Sequence, residues 1–155
     1  MSLYFELLNQ NPTAGHYQFG MVKQFSPQEI RETIQTLLVD PSRNHLAHAL
    51  GDAGMALYPE SEDMLAISGY LAVIRQDWAQ VVEYLQALLE IRAERTDAAT
   101  YLTLVRALQM RLDPVSALKV AQEGLRHHPE HEGLLAETGA LTGMAHALSM
   151  QKLAH

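Results

Sequence analysis

The chain has 155 residues, enough for one domain with a real core, and its 48% hydrophobic content is that of a folded protein. Lys and Arg number 11 against 18 Asp and Glu, a net charge of −7 whose field repels phosphate backbones and anionic membranes, so nucleic-acid binding is not expected. No cysteine is present, which excludes disulfides, thiol catalysis and sulfur-ligated zinc, and no apolar run approaches the ~18 residues of a membrane-spanning helix, so no membrane insertion is expected.

Residues 1–27 read as an arm. "MSLYFELLNQNP" has no basic stretch and carries Glu6 inside its apolar part. That argues against a secretory signal and for a cytoplasmic location. Tyr4, Phe5, Tyr17, Phe19 and Phe25 crowd this arm, and "NQNPTAGHYQFG" reads as loop. One reading makes these aromatics a cap on the first folded unit. The other makes the arm a partner element or the contact of a homodimer.

From residue 28 onward the pattern is helical. Val-, Ile- and Thr-rich alternation is scarce, and no Asn-Gly or Asp-Gly hairpin turn occurs. Met64, Ile67, Leu71 and Ile74 form one stripe, Val81, Leu85, Leu88 and Leu89 a second, and Tyr101, Leu104, Val105 and Leu108 a third. Breaks fall at Asp40-Pro41, Tyr58-Pro59, Gln76-Asp77, Ala93 to Thr96, Asp113-Pro114 and His128-Pro129. Between them lie about seven helices of roughly 12–16 residues joined by short loops, an all-α chain.

Two stretches share a frame. "AHALGDAGMALYP" ends at Pro59 and "ALKVAQEGLRHHP" ends at Pro129. Each places Ala, a second small residue, Gly and Pro at matching intervals. The interval of two units predicts repeats of about 35 residues: 28–61, 62–97 and 98–131, with 132–155 as a last helix. Small residues suit points where antiparallel helix axes approach. A Gly inside a helix costs about 0.5–1 kcal/mol against Ala, so several imply close packing.

On these residues the chain resembles the tetratricopeptide repeat family. In the second repeat Leu65, Gly69, Ala72, Trp78, Val81, Leu85 and Leu88 fall on its pattern. In the third, Tyr101, Leu104, Val105, Leu108, Ala117, Ala121, Gly124 and Pro129 do, and Leu135 and Gly139 resume it. The first repeat fits through Ala47, Gly51, Gly54 and Pro59, but its first helix fits poorly, with Arg31, Ile34, Gln35 and Leu38. The second runs two residues over the family period, placed in the loop around Arg95.

The resemblance implies a right-handed α-solenoid of helix–turn–helix repeats with a C-terminal capping helix. It also implies a concave groove formed by the first helix of each repeat. Its inward candidates are Tyr70, Val73 and Ile74, then Leu102, Arg106, Gln109 and Met110, then Ala140 and Met144. This face is largely apolar with one cation, and an exposed apolar face marks a partner site. Family members that grip acidic chaperone tails use a clamp of Lys, Asn and Arg. Here Asp63, Ala66, Tyr70, Leu102 and Arg106 stand near those places, so only one Arg of that clamp is present. In size, acidity and layout the chain looks like the bacterial type III secretion chaperones.

No enzyme site emerges. His45 and His48 lie three apart on a helix, and His127, His128 and His131 bracket a helix end. Histidines near a helix C-terminus suit the dipole there and can cap carbonyls. Glu60, Glu62 and Asp63 supply N-terminal charge for the helix they open. No phosphate-cradling loop follows a strand. No cofactor or metal is implied. The expected function is non-enzymatic: binding a peptide or helix of a protein partner, as a secretion or assembly chaperone does. The alternative is a scaffold or regulatory subunit for a modifying enzyme or surface apparatus, or a self-associating assembly protein.

Overall fold

The computed structural model describes residues 2–9 and 20–154. Tyr17 and Phe19 of the arm lie outside them. The described residues form eight α-helices, three short 3-10 turns and no strand. The chain divides into two compact units, Met1–Gln76 and Asp77–His155.

The first unit begins with α1 (Leu3–Leu8), ahead of the stretch read as loop, of which residues 10–19 lie outside the described residues. Ser2 caps it by accepting from the Phe5 N–H, and Leu3 and Leu7 are buried. α2 (Pro27–Leu37) opens on a complete capping box. The Ser26 hydroxyl accepts from the Glu29 N–H at 3.2 Å, and Glu29 Oε1 accepts from the Ser26 N–H at 3.2 Å. α3 (Asn44–Leu57) and α4 (Glu62–Arg75) follow. Ser61 caps α4, and Glu62 and Asp63 sit in its first turn, where the helix dipole favours negative charge.

In α2 the buried residues are Ile30, Thr33, Ile34 and Leu37. The sequence pattern had set Arg31, Gln35 and Leu38 beside Ile34, so the inward face is rotated by about one residue. Arg31 instead lies at the surface, with Nη1 3.1 Å from Asp63 Oδ1. The arm's aromatics divide. Tyr4 and Phe25 pack against the core, the Phe25 carbonyl accepts from the Tyr58 hydroxyl at 2.9 Å, and Phe5 is exposed. Gly51 and Gly54 give α3 its close approach to α4. A Cβ on Gly51 would stand 2.5 Å from Leu71 Cδ1, and one on Gly54 would overlap Met64 Cε.

The second unit holds α5 (Trp78–Arg92), α6 (Ala98–Met110), α7 (Pro114–His127) and α8 (Glu132–Leu153). Asp77, Asp97 and Asp113 cap the first three of these by accepting from Gln80, Thr100 and Ser116 N–H groups. A 3-10 turn, Ala93–Arg95, lies between α5 and α6, in the loop where the longer second repeat was expected to hold its extra residues. α6 packs on α5 and α7, and α7 packs on α8. Tyr101, Leu104 and Val105 of α6 and Ala117 and Ala121 of α7 are buried. The small residues of the repeated frame therefore sit at helix contacts in both units. First helices begin at Pro27, Glu62, Ala98 and Glu132, so the helical pattern recurs at intervals of about 35 residues.

α8 differs from its neighbours. Only Leu134 and Leu141 are buried along its 22 residues, and every residue of 142–154 is exposed.

Candidate functional site

The nine residues expected to form the binding face lie on first helices. In the first unit, Tyr70, Val73 and Ile74 share one face of α4, spaced three and four apart. Tyr70 is 56% exposed, Ile74 is exposed and Val73 is half-buried. Met64, Leu71 and Ala72 turn the other way into the core. The helix is thus apolar on both sides, and only one side is covered.

In the second unit, Leu102, Arg106, Gln109 and Met110 lie on α6, and Ala140 and Met144 on α8. Met110 is 58% exposed. Arg106 was expected as the cation of this face, but its Nε lies 3.7 Å from Glu137 Oε1. Gln109 Nε2 donates to the other oxygen of the same carboxylate at 3.0 Å. Glu137 therefore bridges α6 to α8, and the charge of Arg106 is matched within the unit. Leu102 packs beside the first turn of α8, where a Cβ on Gly133 would come within 2.9 Å of its Cδ2. What remains open is Met110, Ala140 and Met144, with the Arg106 side chain still 61% exposed beside them.

The histidine cluster does structural work. His128 Nε2 lies 2.8 Å from the Thr96 carbonyl and joins the end of α7 to the start of α6. The His127 ring stacks on Tyr101 with centroids 6.2 Å apart. His131 Nδ1 accepts from the Leu134 N–H at 3.3 Å and so caps α8. In the first unit His48 Nδ1 meets Arg75 Nη1 at 3.0 Å. Burial, then the Arg75 charge, pushes the His48 pKa down. Among the described residues no three His, Asp or Glu gather as a metal requires.

A feature outside the expected set lies on the other side of α8. α7 and α8 enclose an open groove of about 430 Å³. Val115 and Leu118 of α7 and Leu141, Met144 and Leu148 of α8 form its walls, and Lys119 and Lys152 stand at its edges. No carboxylate lines it. A smaller hollow of about 300 Å³, between Gln109, Leu112, Pro114, Leu141 and Met144, adjoins it. Met144 thus belongs to this groove as well as to the expected face. One signal for it was present in the sequence. Residues 138–155 contain no Asp or Glu and carry Leu141, Met144, Leu148, Met150 and Leu153 among small residues, a composition that suits a covered helix rather than a solvated one.

No protein-family model matches the chain, and no curated protein sequence matches it. Among solved structures it is similar to one described as "Assembly Chaperone of RpL4 (Acl4) (Residues 1-338)". The TM-score is 0.54 and the identity 12%, and the match covers 96% of this chain and 59% of that one. The fold is all-α and solenoid-like. At that identity the likeness speaks to the fold and leaves function to the residues of the site. No helix among the described residues is long and apolar enough to cross a membrane.

Proposed function

We propose that the chain is a non-enzymatic protein-binding module of tetratricopeptide-like repeats, 28–61, 62–97 and 98–131, with 132–155 as the cap. It holds a peptide or helix of a partner against the first-helix faces that carry Tyr70, Val73 and Ile74, and Leu102, Arg106, Gln109, Met110, Ala140 and Met144. One observation carries this reading. Large apolar side chains stand in solvent on the first helices, with Tyr70 and Ile74 on α4 and Met110 on α6. Their helices already have a buried face on the opposite side, so packing does not require them. Exposed clusters of this kind mark partner sites, and Met adapts to varied surfaces.

The narrower role is a chaperone for secretion or assembly, acting in the cytoplasm without a cofactor. The similar solved structure is described as an assembly chaperone. The test is an affinity purification of the chain from its native cell, read by mass spectrometry and repeated with Tyr70→Ala combined with Met110→Glu. One dominant client should co-purify near stoichiometry with the native chain and disappear with the double variant. A client recovered equally with both would overturn the reading.

A further inference from the structure

We propose that the groove between α7 and α8 takes an amphipathic helix from another protein, with acidic residues flanking its apolar face. The surface shares Met144 with the first-helix faces and otherwise lies apart from them, on α7 and the later turns of α8.

The repeat logic says which kind of element fits. α6 is packed between α5 and α7, whereas α8 packs on α7 and, through its first turns, on α6, with solvent along the rest of it. A second helix pairing with α8 would lie against α7 and α8 together, and the groove is at that place. Its lining residues on α8, Leu141, Met144, Ala145, Leu148 and Lys152, recur at three and four. That is one helical ridge, matched across the groove by Val115, Leu118 and Lys119. Both walls are helices with satisfied backbones, so no strand edge is available and an extended peptide gains no ladder of hydrogen bonds. The stretch of α8 concerned is about three turns long.

Charge identifies the occupant. In a chain of net charge −7, two of its three lysines, Lys119 and Lys152, edge this groove. Neither makes an ion pair among the described residues. The nearest helix cap, Asp113, accepts from the Ser116 N–H at 3.1 Å. Its hydrogen bonds with Ser116, with the Lys119 charge among the lesser influences, hold its carboxyl below the usual range without Asp113 and Lys119 forming an ion pair. A second copy of α8 is a poor occupant. Beyond Glu137 it has no carboxylate to offer, and it would bring its own Lys152. A foreign helix with Glu or Asp on both flanks meets both lysines while its apolar face covers Met144 and Leu148.

The test uses the full chain and two synthetic, end-blocked peptides of about 18 residues, a length at which helicity becomes appreciable. Both have Leu and Ala on one face; one carries Glu on its flanks, the other Lys. Binding is read by fluorescence anisotropy. The Glu peptide should bind about tenfold more tightly than the Lys peptide. That preference should shrink with salt and invert for Lys119→Glu combined with Lys152→Glu. Met144→Glu combined with Leu148→Glu, at side chains 49% and 50% exposed, should abolish binding, and circular dichroism should show the fold retained. The proposal is overturned if neither peptide binds, if both bind alike, or if the Met144/Leu148 variant still binds. It is also overturned if sedimentation shows a dimer that this variant converts to monomer, because a second copy then fills the groove. Loss of the peptide from the Tyr70/Met110 variant alone would place it on the first-helix faces instead, sinking this inference and leaving the protein-binding reading intact.

Discussion

Gly124 of α7 lies against Tyr101 of α6 so closely that a Cβ built on it would stand 3.0 Å from both Tyr101 Cβ and Cγ. Tyr101 is fully buried, so the ring cannot swing away. Its Cβ is fixed to the α6 backbone. Gly124→Ala gains about 1 kcal/mol of helix propensity but overpacks the contact, which costs about 1–3 kcal/mol. The variant should be less stable in urea titration. Gly139 and Gly143 of α8 have nothing within 4 Å of an added Cβ. There the same substitution should stabilise, by roughly 0.5–1 kcal/mol each. A stabilised Gly124→Ala protein would mean that α6 and α7 do not pack as described.

Leu112 should be replaceable with a gain. It sits between α6 and α7 with φ 58°, and it is 89% exposed. The left-handed region crowds a Leu Cβ against its carbonyl, at about 1 kcal/mol, whereas Asn tolerates it. Leu112→Asn should raise the thermal midpoint by a few degrees, equivalent to roughly 0.5–1 kcal/mol. An unchanged or lowered midpoint would show that Leu112 contributes contacts in solution that its exposure conceals.

These two positions illustrate what the sequence carried. Local chemistry was legible: each predicted break falls at or within three residues of a helix end, because Asp and Ser caps, prolines and the Ala-Gly frame act within a few residues. The repeat register placed Tyr70 and Met110 on the inward face of a groove, and both side chains are exposed. The inward face of α2 was not, because Arg31, Ile34 and Gln35 also share a helical face, and only packing against α1 and α3 chooses Ile30 and Leu37. Nor was the pairing of Arg106, because its partner Glu137 is a repeat away in the chain. The groove beside α8 escaped periodicity because large apolar residues lie on more than one side of that helix and do not single out a face.

His48 makes the first unit sensitive to mild acid. Its Nδ1 faces Arg75 Nη1 at 3.0 Å and so acts as an acceptor only while the ring is neutral. Burial and the Arg75 charge lower its pKa from the ordinary 6.5. The unfolded chain therefore binds this proton more readily than the folded one. The stability contributed by the neutral ring is present above about pH 6.5 and is lost as pH falls through the lower folded value. His48→Gln, which stays neutral, should flatten the stability curve between roughly pH 7 and pH 5 without changing its level at pH 8 by more than a small amount. Identical pH profiles for the two proteins would remove His48 from the account.

Asp97 should act at lower pH and with the opposite chemistry. It caps α6, accepting from the Thr100 N–H at 2.8 Å and from the Thr100 hydroxyl. The Thr100 side-chain hydrogen bond, more than any other influence, holds its carboxyl below the ordinary 3.8. Its stabilising effect is fully present above about pH 4 and disappears as pH falls through the folded value. Asp97→Ala should cost about 1 kcal/mol at pH 7 and little below pH 3. Thr96 binds the His128 ring next door, so the loss should also loosen the end of α7. Amide exchange at pH 7 should accelerate there and at the first turn of α6 together. If only α6 responded, the link from Thr96 to His128 would not couple the two helices.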